Sequence, residues 1–129
     1  MDYGITVTLD RPFAETVERV RAALAEQGFG ILTEIDVQAT LRTKIGAELP
    51  DYLILGACNP PLAHRAVQAD PRIGLLLPCN VVVRTADGAT VVEAMNPDVM
   101  VRVTGHPELT AIADEAGTRL RAALAALQA

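Results

Sequence analysis

The sequence predicts a single α+β domain, in which a largely antiparallel, curved sheet of about five to six strands carries two long helices and one or two short helices on one face. Three observations lead to this fold class. Two long segments have one apolar stripe at helical spacing, several β-rich segments lie between them, and an Asp-Gly turn joins two valine-rich segments. Strands joined by a tight turn pair antiparallel, and helices with a single stripe bury it against another layer. The 129 residues make one domain, residues 1–129, because either half would be too small to bury a core.

The first third of the chain predicts a strand, a helix and a second strand. Residues 3–9 alternate polar and apolar side chains and are rich in β-branched residues, which is typical of a half-buried strand. Asp10 is a candidate cap for the helix that follows, and Gly28 is a natural end for it. The apolar stripe of this helix consists of Phe13, Val17, Val20 and Leu24. Residues 29–35 then predict the second strand.

The middle of the chain predicts a short helix, a strand and another helix. Asp36 offers a cap for the short helix, and Gly46 closes it. Residues 52–57 are apolar on both sides, so this third strand is expected to be central in the sheet. It runs directly into a helix over residues 60–68.

The segment after that helix predicts a β-hairpin. Residues 73–77 are expected to be extended and buried, with a break at Pro78, which cannot donate to a strand ladder. Residues 80–85 and 90–94 form the two hairpin strands, because Asp87-Gly88 supplies the positive φ angles that a two-residue turn needs.

The last long helix is expected to begin near Gly105-His106-Pro107, after an ambiguous segment at residues 99–103. Gly117 lies inside this helix and predicts a close approach of another element. The apolar stripe of the helix consists of Leu109, Ile112, Ala116, Leu120, Leu124 and Leu127.

Composition excludes several classes of partner. The net charge of -5 and the 3% of aromatic residues argue against nucleic acid, which needs a basic face and stacking side chains. The most apolar stretch, residues 73–83, is about half the length that spans a bilayer. Residues 1–9 lack the pattern of a signal peptide, and with only two cysteines a disulfide framework is not expected. We therefore expect a cytoplasmic protein with both thiols reduced, and no membrane partner.

The two cysteines carry the most specific signal in the chain. Each precedes an asparagine and adjoins a proline, in Cys58-Asn59-Pro60 and in Pro78-Cys79-Asn80. Asn59 is a candidate helix cap, and Pro60 suits a first helical turn. Unpaired N–H groups and the positive end of that helix would favour a thiolate or a bound anion at Cys58. If the strands before and after these motifs are neighbours, the two thiols come together.

Three interpretations of the cysteines stay open. The first is that both are packing residues, since free cysteine behaves as a small hydrophobe. The second is that they form a redox or ligand-binding pair, and the third is that they bind metal. The soft metal ligands available are Cys58, Cys79, His64 and His106, without the spacing usual for zinc. No nucleophile elbow, phosphate loop or dinucleotide fingerprint is present, so no catalytic residue and no cofactor is predicted.

The two motifs also resemble a known family. The strings LGACNP at residues 55–60 and GLLLPCNVVV at residues 74–83 are similar to the bacterial and archaeal family called domain of unknown function 302. The resemblance extends over nearly the whole chain and includes the Asn96-Pro97 break. It implies a small α+β fold with helices against a curved sheet, and frequent pairing into dimers. It implies no settled activity, substrate or cofactor.

From these observations we expect a non-enzymatic module for small-ligand binding or interaction, with its pocket between the end of the third strand and Pro78. The candidate site residues are Cys58, Asn59, Pro60, Cys79 and Asn80. One alternative is a thiol-based redox or sulfur-handling protein that uses Cys58 with Cys79. A second alternative is a metal-binding protein.

The hairpin strands predict self-association. Consecutive apolar residues at 81–83 and at 91–92 leave both faces of these strands in need of cover. Helices can cover one face, and a two-fold symmetric homodimer that uses the other face or a sheet edge would cover the rest. Alternatively, the last helix and residues 95–105 wrap the second face within one chain.

Overall fold

The backbone of residues 2–129, in the computed structural model of the chain, forms one antiparallel sheet of five strands. The strands are β1 (Gly4–Leu9), β2 (Gly30–Asp36), β3 (Tyr52–Cys58), β4 (Cys79–Ala86) and β5 (Ala89–Met95). Their order is β1-β5-β4-β3-β2. The third strand is therefore internal, as expected, but β4 occupies the centre of the sheet.

In the described part of the chain, five α-helices accompany the sheet. They are α1 (Phe13–Glu26), α2 (Val37–Ile45), α3 (Pro60–Ala69), α4 (Asp98–Thr104) and α5 (Thr110–Ala126). Two 3-10 helices, Pro71–Leu76 and Pro107–Leu109, precede β4 and α5. The α+β prediction is confirmed, with α1 and α5 as the two long helices and three shorter helices where one or two were expected. Within residues 2–129, no helix combines the length and apolar character that crossing a membrane requires.

One face of the sheet packs against α1 and α5 and forms the sheet core. Leu55 of β3 pairs with Val81 of β4, and neither side chain is accessible to solvent. The valines and leucines of this core that are at most 2% exposed are Val20, Leu24, Leu55, Val81, Val83, Val92, Leu120 and Leu124. Each such aliphatic side chain contributes roughly 1.5–3 kcal/mol by leaving water, so this layer holds the helices on the sheet.

A second group of buried side chains, the helical cluster, lies beyond the sheet core. It joins α3, the first 3-10 helix, α4 and the first half of α5. Its members are Leu62, Ala66, Ile73, Met100, Leu109, Ile112, Ala113 and Ala116. Helix α5 contributes to both groups, because Ile112 and Ala116 lie in the helical cluster while Leu120 and Leu124 lie in the sheet core.

The other face of the sheet presents a row of side chains, one from each strand. The strand registers align Ile35, Ile54, Val82, Glu93 and Thr6. Ile35 remains 48% exposed. The buried residues of α4 and α5 belong to the sheet core and the helical cluster, so these helices do not cover this row.

Two local predictions were wrong. Residues 73–77 are not extended: Pro71–Leu76 is a 3-10 helix, begun by the Asp70 carboxylate, which accepts a hydrogen bond from the Arg72 N–H at 3.0 Å. Ile73 is fully buried while Leu75 is 77% exposed, which a buried strand would not allow. Asp10 does not cap α1, whose N-cap position is Pro12 with no side-chain hydrogen bond.

Other local predictions are confirmed. The Asp36 carboxylate caps α2 by accepting from the Ala39 N–H at 2.9 Å. Asp87 and Gly88 have φ angles of 51° and 77° and form the hairpin turn. The ambiguous segment at residues 99–103 is helical, within α4.

Candidate functional site

The two cysteines lie at the same end of neighbouring strands. Cys58 is the last residue of β3, and Cys79 is the first residue of β4. The β3–β4 register pairs Cys79 with Ala57, the residue before Cys58. The strands that carry the two motifs are thus neighbours, and both thiols border one pocket.

This pocket has a volume of about 260 Å³ and lies between the sheet core and the helical cluster. Its wall is apolar except for one amide and the two thiols. The lining residues are Phe29, Leu32, Ala57, Cys58, Asn59, Leu62, Ala63, Ala66, Leu77, Pro78, Cys79, Met100, Ile112 and Ala116. The gap exists where β3 passes into α3 and where α5 crosses from one buried group to the other.

The start of α3 is capped and offers no free N–H group. The Asn59 Oδ1 accepts a hydrogen bond from the Leu62 N–H at 3.2 Å, as its position before the helix predicts. Pro60 and Pro61 have no N–H, and the Ala63 N–H donates to the Asn59 carbonyl at 2.9 Å. The unpaired donors expected beside Cys58 are therefore absent from this helix end, because two prolines and one cap account for its first turn.

The Cys79 thiol is uncharged at neutral pH. The side chain is 7% exposed, and burial, together with the neighbouring Cys58, raises its pKa to about 11. Cys58 is half-buried, and both cysteines are free thiols. The pocket wall therefore has a neutral, polarizable sulfur on the β4 side.

The absence of a side chain at Gly56 leaves room for Pro78 beside the pocket. A Cβ atom at this position would collide with Thr33 Oγ1 and would lie 2.8 Å from Pro78 Cγ. Only glycine lets the Pro78 ring and the Thr33 side chain approach β3 this closely. Pro78 in turn forms part of the pocket wall.

Comparisons with known proteins identify the family of the chain and a similar fold. The sequence profile of the family described as Domain of unknown function DUF302 matches residues 5–127. The chain belongs to this family. The crystal structure of an uncharacterized conserved DUF302 protein from Bacillus stearothermophilus is similar to it, with a TM-score of 0.91 and 32% sequence identity. That similarity covers 97% of this chain and 98% of the Bacillus chain. No curated protein matches the chain significantly.

The structure of this DUF302 protein separates the predicted site residues into two sets. Cys58, Asn59 and Cys79 line the pocket, whereas Pro60 and Asn80 do not. Pro60 occupies the first turn of α3, and Asn80 is an exposed residue of β4 opposite Gly56.

The metal candidates do not converge. His64 is exposed on α3 and is not part of the pocket wall. His106 lies between two carboxylates and not beside the cysteines. Its Nε2 is 3.4 Å from Asp70 Oδ2, and its Nδ1 is 3.4 Å from Glu108 Oε1. Across residues 2–129, no three His, Cys, Asp or Glu side chains are grouped so as to hold a metal ion.

Sequence reasoning missed most of the pocket wall of this DUF302 protein. Phe29, Met100 and Ile112 come from three distant parts of the chain and meet only after folding. The one local signal was the Leu62-Ala63 pair, which follows the first cysteine motif and lies in the wall.

Proposed function

We propose that this DUF302 protein is a non-enzymatic binding protein for a small, largely apolar molecule, held in the pocket between the sheet core and the helical cluster. Its volume of about 260 Å³ lies just below the roughly 300–1,000 Å³ of ordinary ligand pockets, so the ligand is small. We also propose a cytoplasmic location, where both thiols stay reduced.

The observation that carries this proposal is the composition of the pocket wall. Four of its residues are the alanines Ala57, Ala63, Ala66 and Ala116. Protein interiors are close-packed, and larger side chains at these positions would fill the gap. Small residues on three surrounding elements instead keep a space open at the junction of two buried groups.

Two observations favour binding over thiol chemistry. A redox or sulfur-handling role needs a thiolate as nucleophile, and the raised pKa of Cys79 keeps that thiol protonated at neutral pH. The capped start of α3, with its two prolines, also offers Cys58 no free N–H group that would stabilise a thiolate. The metal alternative has less support, since His64 does not join the cysteines.

Titration with 1-octanol, a neutral apolar probe, tests this function by NMR of backbone amides. We expect shifts confined to residues around the pocket. The variant Ala63→Phe fills the pocket and should abolish them, whereas Ala22→Phe, at an exposed position of α1, should not. Equal shifts in both variants, or none in the wild type, would refute the proposal.

We further propose a two-fold symmetric homodimer through the row on the second sheet face that α4 and α5 leave uncovered. Ile35, Ile54 and Val82 form its apolar half. Glu93 and Thr6 form the polar half, and Arg84 Nη2 lies 2.8 Å from Glu93 Oε1, so the charge of Glu93 is neutralised. A second copy therefore meets apolar surface and no net charge, although each chain carries a net charge of -5.

A further inference from the structure

Two arginines, one on α3 and one on α5, share a single carboxylate. Arg65 Nη1 of α3 lies 2.9 Å from Glu115 Oε2, and Arg119 Nη2 of α5 lies 3.6 Å from Glu115 Oε1. Arg65 directly precedes Ala66, and Glu115 directly precedes Ala116, so the cluster joins the two helices that carry these wall residues. Two cations and one anion leave a surplus of one positive charge.

Arg119 reaches from this cluster to the Gln27-Gly28 turn after α1. Its Nη1 donates a hydrogen bond to the Gln27 carbonyl at 3.2 Å. A Cβ atom placed on Gly28 would lie 3.7 Å from Arg119 Nη1 and 3.0 Å from Asn59 Nδ2. The two donors therefore approach the same glycine, and Asn59 is itself part of the pocket wall.

The orientation of the Asn59 amide is fixed by its role as a cap. Because Oδ1 accepts from the Leu62 N–H, the other end of the amide, Nδ2, faces Gly28. Nδ2 can only donate hydrogen bonds. A guanidinium and an amide donor thus lie together at Gly28, beside the pocket wall to which Asn59 belongs, whereas the start of α3 supplies no N–H group.

We propose that the ligand of this pocket is an amphipathic monoanion, with an apolar body in the pocket and one carboxylate-like group at Arg119 and Asn59. This inference rests on the proposed binding function. One negative charge offsets the surplus positive charge of the cluster, and a guanidinium binds a carboxylate with two parallel hydrogen bonds. The surplus positive charge is confined to this cluster, because the chain as a whole is acidic.

Three probes that share an octyl chain and differ in head group test this inference: octanoate, 1-octanol and octylammonium. We expect octanoate to bind about tenfold more tightly than 1-octanol, a difference of about 1.4 kcal/mol, and octylammonium to bind most weakly. Added salt should weaken octanoate more than 1-octanol, since only the charged head group is screened.

Three variants test whether the charged head group binds at Arg119. Arg119→Gln should reduce the ratio of octanoate to octanol affinity to about one. Glu115→Gln removes the shared carboxylate and should raise that ratio by several fold, a gain that misfolding cannot produce. Arg42→Gln, on α2 and outside the pocket wall, is the matched control and should leave the ratio as in the wild type.

The outcomes separate this inference from the function on which it rests. If octanoate and 1-octanol bind equally well to the wild type, or Glu115→Gln leaves their ratio unchanged, the monoanion inference is wrong and the apolar pocket stands. If none of the three probes binds, the proposed function fails as well.

Discussion

Cys79 opens β4 directly opposite Ala57, and this pairing places its thiol beside Cys58 in a wall that water reaches poorly. The consequence is electrostatic. A thiolate at Cys79 would lose its hydration and would face a second ionisable sulfur, so the proton is held more tightly in the folded protein than in the unfolded chain.

The stability of the protein should therefore decline in alkaline solution through Cys79. A raised thiol pKa stabilises the fold below the unfolded value of 9.0, and this stabilisation is lost as the pH rises towards 11. Between about pH 8 and about pH 10.5 we expect the wild type to lose about 2 kcal/mol more than Cys79→Ala. Urea unfolding of both proteins under reducing conditions measures the difference. If the free energy of unfolding changes with pH in the same way in both proteins, the pKa of Cys79 is not raised by folding.

Gly56→Ala should destabilise the protein because the new methyl group meets Thr33 and the Pro78 ring. Overpacking of this kind costs roughly 1–3 kcal/mol, seen as a lower urea midpoint. The matched control is Gly74→Ala, since a Cβ at Gly74 has no atom within 4 Å. If the two variants unfold at the same urea concentration, the close approach at Gly56 is not a constraint on the fold.

Ile35→Glu should convert the proposed dimer into a monomer. Its side chain begins the apolar row of the second sheet face and is 48% exposed in one chain, so a dimer would bury it and leave an unpaired charge there. Light scattering should give twice the chain mass for the wild type and the chain mass for this variant. Leu75→Glu replaces another exposed apolar side chain, away from the row, and should remain dimeric. A wild-type mass of one chain at every concentration would exclude the dimer.

Features decided by neighbouring residues could be predicted from the sequence. The Asp87-Gly88 turn, the Asp36 cap and the Asn59 cap each depend on contacts within a few positions. The sequence allowed the two cysteine motifs to be neighbours but did not decide it, because the pairing of β3 with β4 depends on contacts between distant parts of the chain.

Features decided by tertiary contact could not be predicted. The apolar run at residues 73–77 reads as a strand, yet the Asp70 cap turns it into a 3-10 helix that buries Ile73 and exposes Leu75. Likewise, nothing in the spacing of Asn59 and Arg119 indicates that both approach Gly28. The pocket itself depends on a gap between two buried groups, and only packing in three dimensions produces such a gap.

Under the proposed binding function, the four alanines of the pocket wall determine how the preference for a ligand can change during evolution. Ala63 is half-buried at the pocket, away from the side chains that hold α1 and α5 on the sheet. An exchange of this alanine for serine, valine or leucine alters the shape of the space by a few atoms and leaves the strand pairing untouched. Selectivity can therefore drift through single substitutions at the wall, while the scaffold that carries the wall is inherited unchanged.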